Sequence, residues 1–162
     1  MNKILDLVLS LMMILVSIPA MAENIEDYFE GTWVQFEDGF EIYLPSEWLE
    51  LEVTEEQNAQ GIFYVVCSPD QTKMMQLGWS GLDAEIAIED LQAALAETIP
   101  AELVEVNGIQ LLCAGDAEND SLMFIGMDAA EPGYYIFVFT PMSDTELQAY
   151  ASVIAASLRN IE

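Results

Sequence analysis

After residue 30 the chain consists of short apolar stretches that either alternate with polar residues or run continuously, and this pattern predicts β-strands. Residues 33–36 and 40–44 lie on either side of the dipeptide Asp38-Gly39, and apolar stretches around Asp-Gly predict a β-hairpin. Residues 62–67 and 134–139 are almost wholly apolar, which is typical of strands that are covered on both faces. These two stretches are therefore predicted to be buried, and 134–139 is predicted to be central in its sheet.

A second hairpin is predicted where Asn107-Gly108 separates residues 103–106 from residues 109–112. Asn and Gly readily adopt the two positive φ angles that a type I′ turn requires. The acidic stretch 47–60 has few apolar residues and is predicted to be a long surface connection. Further strands are predicted over two stretches bounded by turn residues, 73–79 and 122–127.

Two stretches change to the period of an α-helix. In 83–99 the apolar side chains recur at steps of three and four residues, with Asp83 as the expected N-cap. The final helix is predicted to begin at Ser143, whose spacing to Glu146 is that of a capping box. Arg159 is predicted to lie in its last turn, where a cation interacts favourably with the helix carbonyl groups. The order ββββ-α-ββββ-α predicts an α+β domain, mainly antiparallel sheet with helices packed on its faces.

The N-terminal segment, residues 1–22, has the pattern of a secretory signal peptide. Lys3 is followed by an apolar stretch and then by Ala20-Met21-Ala22, in the order that a signal peptidase substrate shows. An uncleaved membrane anchor is the alternative, but a span needs about 20 apolar residues and this shorter stretch contains Asp6.

Cleavage after Ala22 would leave an acidic N-terminal lead-in over residues 23–30 and a single α+β domain over residues 31–162. We therefore expect the mature protein outside the cytoplasm, whether secreted, associated with the cell wall or periplasmic. In its mature form we expect no membrane attachment.

The charge balance limits the possible partners. The sequence contains 29 Asp and Glu against 3 Lys and Arg and no His, for a net charge of −26 at pH 7. Such a surface repels nucleic acid and anionic lipid, so nucleic-acid binding is an excluded class. The expected partner is an unidentified protein or surface, with cationic proteins, divalent cations and neutral ligands as compatible classes. Solubility alone is the other explanation of the charge.

The side chains that catalysis most often uses are scarce. Without histidine the chain cannot form a Ser-His-Asp or Cys-His arrangement, and two cysteines alone cannot complete a usual zinc site. Cys67 and Cys113 each end an apolar stretch; two buried thiols are favoured, with one disulfide as the alternative. Trp33, Trp48 and Trp79 are interpreted as core or rim residues, with a sugar-binding platform as the alternative. The protein is predicted not to be an enzyme, although a carboxylate-dependent hydrolase is a minor alternative.

Calcium is the one cofactor for which the sequence offers candidate ligands. Asp116, Glu118 and Asp120 alternate along one predicted turn, as in the first part of a calcium-binding loop. The stretch lacks the glycine at the sixth position and has Met127 where the acidic twelfth ligand would stand. A solvated turn is the favoured interpretation, and a calcium-dependent surface or adhesion module is the alternative.

Several of these motifs together resemble a known superfamily. Residues 38–48 (DGFEIYLPSEW) match the pattern Gly-Phe-x-hydrophobic-x-x-Pro-x-x-Trp. The helix after the fourth strand, the Asn107-Gly108 hairpin and the helix end at 154–158 (IAASL) complete the resemblance to PsbP-like α/β/α sandwich domains. Such domains occur in small exported bacterial proteins and in an extrinsic subunit of photosystem II. The resemblance implies a non-catalytic binding or assembly role and assigns no catalytic residues. We therefore predict a secreted, strongly acidic, non-enzymatic binding or accessory domain.

Overall fold

The computed structural model describes residues 24–161, so the predicted signal peptide lies outside the described residues. Within them, a 3₁₀ turn at Ile25–Asp27 precedes the strands and helices. The helices are α1 (Glu55–Ala59), α2 (Ile88–Leu95) and α3 (Thr145–Ala156). The strands are β1 (Gly31–Gln35), β2 (Phe40–Pro45), β3 (Leu49–Leu51), β4 (Ile62–Cys67), β5 (Met74–Gly81), β6 (Glu102–Val106), β7 (Ile109–Asp116), β8 (Ser121–Met127), β9 (Gly133–Thr140) and β10 (Arg159–Asn160).

The strands form two antiparallel sheets. The larger sheet has the order β3-β4-β5-β9-β8-β7-β6, and the smaller sheet has the order β1-β2-β10. Each strand pair is antiparallel. The nearly all-apolar β9 occupies the middle of the larger sheet, so its predicted central position is confirmed. The predicted α+β class is also confirmed. Among the described residues, 24–161, none of the helices has the length and hydropathy of a membrane-spanning segment.

The main core lies between one face of the larger sheet, the strand β2 and the helix α3. Helix α3 buries an apolar stripe whose successive members are four, three and one residues apart, as expected for one helix face: Leu147, Ala151, Ile154 and Ala155. Burial of a large apolar side chain stabilises the fold by about 2 kcal/mol relative to exposure. Other fully buried members of this core are Phe40, Ile42, Met75, Leu77, Phe124, Phe137 and Phe139.

The opposite face of the larger sheet carries a second, smaller core. Successive side chains of a strand point to opposite faces, so Leu111 joins the main core while Leu112 faces the other way. Ile88 and Leu91 of α2, one turn apart, pack against Leu112 and Ile125 there. Helices therefore cover both faces of the larger sheet, as the resemblance implied.

Both predicted hairpins are present. Asn107 and Gly108 have φ angles of 52° and 80°, and the flanking Val106 and Ile109 are paired. These angles are those that a two-residue type I′ turn requires. Gly39, with φ of 84°, turns the chain between β1 and β2.

The helix predicted over 83–99 is shorter than expected. It extends over Ile88–Leu95, and its N-cap is Ala87, which makes no side-chain cap hydrogen bond, rather than Asp83. Ile86 in the preceding stretch is exposed and buries no apolar face that would stabilise another helical turn. The start of α2 is therefore set by packing on the sheet.

The capping box predicted for the last helix is wrong, because the N-cap lies one residue after Ser143. The N-cap is Asp144, whose Oδ1 accepts a hydrogen bond from the Leu147 N–H at 2.9 Å. Ser143 instead donates both its N–H and its hydroxyl to Asp120, at 2.8 Å each. These two hydrogen bonds connect the start of α3 to the β7–β8 turn.

Arg159 does not lie in the last turn of α3. The C-cap of that helix is Ser157, and Arg159 begins β10, where it is paired with Glu41 of β2. Its guanidinium group interacts with a carboxylate rather than with helix carbonyls. The predicted helix-dipole role is therefore wrong.

The acidic stretch 47–60 is more structured than predicted. It contains the edge strand β3 and the short helix α1. Thr54 and Gln57 form a capping box, in which the Thr54 side chain accepts from the Gln57 N–H and the Gln57 side chain accepts from the Thr54 N–H. The stretch has almost no apolar period, so the pattern contained no signal for either element.

Cys67 and Cys113 are free and buried, in agreement with the favoured interpretation. They lie on β4 and β7, which are separated by β5, β9 and β8. Adjacent strands are about 4.8 Å apart, so this separation is on the order of 19 Å, well beyond the reach of a disulfide. Burial, followed by the nearby charge of Glu102, raises the pKa of the Cys113 thiol to about 12.

Candidate functional site

A cavity of about 670 Å³ opens where the two sheets meet. The β1–β2 turn with Asn160 and Ile161 forms one side, and the end of the larger sheet with the β8–β9 turn forms the other. We call it the aromatic–acidic cavity, because four aromatic and three acidic residues line it: Phe40, Phe63, Trp79, Tyr135, Asp38, Asp128 and Glu131.

Trp79 and Tyr135 line the cavity from neighbouring strands of the larger sheet. They are direct cross-strand partners on β5 and β9, so their side chains lie on the same face. Gly81 and Gly133, the partners at the end of the same ladder, leave room for the indole: a Cβ at Gly133 would lie 2.6 Å from the Trp79 ring. The two glycines therefore allow Trp79 to fold over the strand ends.

Asp128 is fixed at the cavity wall by three hydrogen bonds. Its Oδ2 accepts from Trp79 Nε1 at 2.9 Å, and its Oδ1 accepts from the Ala130 N–H at 2.8 Å. Its own N–H donates to the Gly133 carbonyl at 3.0 Å. Each carboxylate oxygen has more than one acceptor position, so Asp128 can accept further hydrogen bonds from a ligand.

Phe40 of the smaller sheet and Phe63 of the larger sheet add the remaining aromatic walls. The buried Phe40 ring lies 4.9 Å from the Tyr135 ring and 4.5 Å from the Phe36 ring, centroid to centroid. Phe63, which is 37% exposed, packs edge-on against Phe40 at 6.1 Å. The cavity therefore has both rigid, buried aromatic walls and a solvent-accessible aromatic rim.

The electrostatic field in the cavity is negative. Burial is the first cause that raises the pKa of Tyr135 above its ordinary value of 10.0, and the charges of Asp128, Asp38 and Glu131 raise it further. The phenol therefore stays protonated at neutral pH. Asp38 and Glu131 lie on the two turns that flank the opening and are exposed, so their charges face any approaching ligand.

Arg159 and Ile161 attach the last described residues beside this cavity. The Ile161 N–H donates to the Gly39 carbonyl at 2.7 Å, and Arg159 Nε donates to Glu41 Oε1 at 2.7 Å. The hydrogen bond from Arg159 is the first cause that lowers the pKa of Glu41 below 4.5. The Arg159 guanidinium also lies over Trp33, with its Cζ 3.7 Å from the ring centroid.

A second, more polar cleft of about 500 Å³ surrounds Lys73. Lys73 Nζ lies 3.0 Å from Glu146 Oε2 and 3.7 Å from Asp144 Oδ2. The hydrogen bond with Glu146 is the first cause that raises the pKa of Lys73. The positive charge in this cleft is therefore neutralised within the molecule.

The three predicted calcium ligands lie at or near the β7–β8 turn, but Asp116 and Asp120 have separate hydrogen-bond partners. Asp116 accepts hydrogen bonds from Asn119 Nδ2 and the Glu118 N–H, and these bonds lower its pKa. Asp120, with φ of 49°, accepts from Ser143. Within residues 24–161 no three His, Cys, Asp or Glu side chains are grouped so that they could hold a metal ion. Calcium binding at this turn stays a prediction.

The residues of the aromatic–acidic cavity were not grouped by sequence reasoning. Trp79 was noted as an aromatic residue, but its neighbours Asp128 and Tyr135 lie about 50 residues away in the chain. Their proximity depends on the β5–β9 register. One sequence feature could have indicated this cavity: the Asp-Gly and Pro-Gly turns that lie on either side of its opening. Functional side chains often lie on such loops.

No protein-family model matches this chain, and no curated protein matches it. The fold does match solved structures. The solution structure of cyanobacterial PsbP (CyanoP) from Synechocystis sp. PCC 6803 is 14% identical, with a TM-score of 0.56 over 80% of this chain and 92% of that chain.

A crystal structure from Bacteroides thetaiotaomicron VPI-5482 is 17% identical, with a TM-score of 0.53 over 76% of this chain. The match spans 45% of the length of that second protein. At these identities the likeness concerns the fold alone. The main sheet, the helices on its two faces and the match to CyanoP agree with the motifs at 38–48, at Asn107-Gly108 and at 154–158. This chain has a PsbP-like fold.

Proposed function

We propose that this protein is a non-catalytic accessory domain that acts outside the cytoplasm and binds a cationic partner. One observation carries the proposal. The net charge is −26, and Lys73 and Arg159, the basic side chains within residues 24–161, are both held in internal ion pairs. The surface that a partner meets is therefore negatively charged, which favours a positively charged partner and speeds its association.

The fold and the composition support binding rather than catalysis. The PsbP-like sequence motifs imply a binding or assembly role, and the absence of histidine from the sequence removes the usual general base. The aromatic–acidic cavity combines aromatic walls with carboxylates, an arrangement suited to recognising cations. A catalytic acid pair would instead be expected to have two carboxylates in opposed environments.

Binding to a cationic partner is tested with immobilised polyarginine, and with polyglutamate as the control surface. We expect binding to polyarginine to weaken at least about tenfold between 50 and 500 mM NaCl, because screening shortens the reach of surface charges. Failure to bind polyarginine at 50 mM NaCl would contradict the proposal. So would hydrolysis of a glycoside or ester panel that disappears when one carboxylate is replaced.

Export is tested by expressing the whole chain in a secreting bacterial host and determining the N-terminus of the extracytoplasmic product. We expect Glu23 as the first residue, because Ala20-Met21-Ala22 has the small-x-small pattern of a cleavage site. A product that stays in the membrane with Met1 intact would support the anchor instead.

A further inference from the structure

We propose that the aromatic–acidic cavity receives an arginine side chain of a basic polypeptide. This inference rests on the proposed function and specifies where and how the cationic partner is recognised. The cavity of about 670 Å³ lies within the size range of small-ligand pockets and is large enough for a long side chain.

The walls of the cavity fit the two chemical properties of a guanidinium group. Its flat face stacks on aromatic rings, and Trp79 and Tyr135 lie side by side on one sheet face. Its edge donates pairs of hydrogen bonds to carboxylates, and Asp128 is fixed beside the Trp79 indole. Lysine would satisfy the charge but not the stacking or the paired hydrogen bonds.

The acidic residues of the cavity have no cation of their own. Within residues 24–161 the ion pairs of Lys73 and Arg159 are with Asp144, Glu146 and Glu41, all outside the cavity. Asp38 and Glu131 approach the opening from two different turns, so their charges converge on the same space. Because no Lys or Arg of the described residues pairs with them, these carboxylates are available to a cationic group of another molecule.

The protein itself contains a model of the proposed contact. Arg159 stacks over Trp33 and pairs with Glu41, so an aromatic ring and a carboxylate already hold an arginine in this fold. The cavity presents the same two groups, as Trp79 and Asp128, without the arginine. The internal pair therefore shows that an aromatic ring and a carboxylate together hold a guanidinium group in this protein.

The rim of the cavity favours a polypeptide over a small free cation. Phe63 and Ile161 both line the cavity and are 37% and 39% exposed. A small ammonium ion inside the cavity would leave both side chains in water, whereas the backbone and neighbouring side chains of a peptide would cover them. Charge complementarity and this apolar rim together point to a basic segment of a partner protein.

The test is a titration of the protein with the peptide acetyl-Gly-Arg-Gly-Arg-Gly-amide, followed through the indole N–H resonances in two-dimensional NMR. Trp79→Phe assigns the Trp79 signal. We expect the Trp79 indole to shift on titration, while the Trp33 and Trp48 indoles stay near their starting positions. A peptide with citrulline in place of arginine has the same shape without the charge and is expected to leave all signals unchanged.

Charge-removing variants locate the site. Asp38→Asn with Glu131→Gln removes two exposed charges from the cavity opening, and Glu56→Gln with Glu97→Gln removes two exposed charges elsewhere. We expect the first pair to weaken binding about tenfold and the second pair less than about twofold, because close charges contribute more than distant, screened ones. Both double variants replace exposed side chains, so they are expected to fold normally.

The outcomes separate this inference from the proposed function. Equal weakening by both double variants, or an unchanged Trp79 signal while polyarginine still binds, would overturn the cavity as the site and leave the general function intact. Equal affinity for a lysine peptide would overturn the arginine specificity. Loss of all binding to cationic peptides and to polyarginine would overturn the proposed function itself.

Discussion

The guanidinium group of Arg159 lies over the indole of Trp33, with Cζ 3.7 Å from the ring centroid. The two residues lie on the opposite edge strands β10 and β1 of the smaller sheet, and β2 lies between them. Arg159 also donates to Glu41 of β2, so one side chain connects all three strands. The contact holds the last strand of the described chain against the first hairpin.

Replacing Arg159 by lysine separates stacking from charge. Arg159→Lys keeps a cation near Glu41 but loses the planar contact with Trp33 and one of the two nitrogen donors to Glu41 Oε1. A cation–π contact at an exposed site contributes about 0.5–1 kcal/mol, so we expect the melting temperature to fall by about 3 °C. Thermal unfolding followed by circular dichroism measures the change, with Asn160→Ala as the neighbouring control. A lysine variant as stable as the original protein would show that the stacking contributes nothing.

The pair of Arg159 and Glu41 also makes stability depend on pH. The hydrogen bond from Arg159 lowers the folded-state pKa of Glu41 below 4.5. This contribution is therefore present above pH 4.5 and is lost as the pH falls through the lowered pKa. We expect the difference in unfolding free energy between the original protein and Arg159→Gln to shrink between pH 5 and pH 3 in urea titrations. A difference that stays constant over this range would contradict the assigned cause.

Ser68 controls the acidity of Asp70. The Ser68 hydroxyl donates to Asp70 Oδ1 at 2.6 Å, and this bond, followed by those from Thr72, lowers the pKa of Asp70 to about 2. Ser68→Ala removes the first cause, so we expect the pKa to rise toward its ordinary value of 3.8. Carboxyl ¹³C shifts measured against pH give the value directly. Thr72→Val is expected to produce a smaller rise, and the reverse order would be inconsistent with this ranking.

Gly133 determines the position of Trp79. An added Cβ at Gly133 would lie 2.6 Å from the indole and 2.9 Å from the Ser80 carbonyl oxygen. We expect Gly133→Ala to displace Trp79, to shift its indole N–H signal and to cost about 1–3 kcal/mol of stability. Gly126→Ala is the control, since its Cβ would meet only the tip of Leu111 at 3.1 Å. Equal effects of the two substitutions would contradict the special requirement at Gly133.

Calcium binding at Asp116, Glu118 and Asp120 is tested by thermal melts in CaCl₂, MgCl₂ and NaCl at matched ionic strength. Hydrogen bonds within the fold already engage Asp116 and Asp120. We therefore expect the same rise in melting temperature in all three salts, from screening of the net charge of −26. A larger rise specific to Ca²⁺, abolished by Asp120→Asn, would instead indicate a site that stabilises the native state.

Local signals in the sequence predicted the parts of the fold that depend on neighbouring residues. The turns at Asp38-Gly39 and Asn107-Gly108 were predicted because few other residues adopt positive φ angles without strain. The continuous apolar stretch of β9 predicted its central position, since such a strand must be covered on both faces. The number of helical turns before Ile88 was mispredicted, because packing on the sheet decides it.

The sequence by itself therefore determined the hairpins, the buried strands, the last helix and the acidic surface, since each follows from residue type and spacing over a short stretch. Tertiary structure alone decided that Trp79 meets Tyr135 and Asp128, and that Arg159 reaches Trp33 rather than a helix end. These contacts join residues far apart in the chain. Their geometry depends on strand register and sheet order, which the packing of the whole core selects.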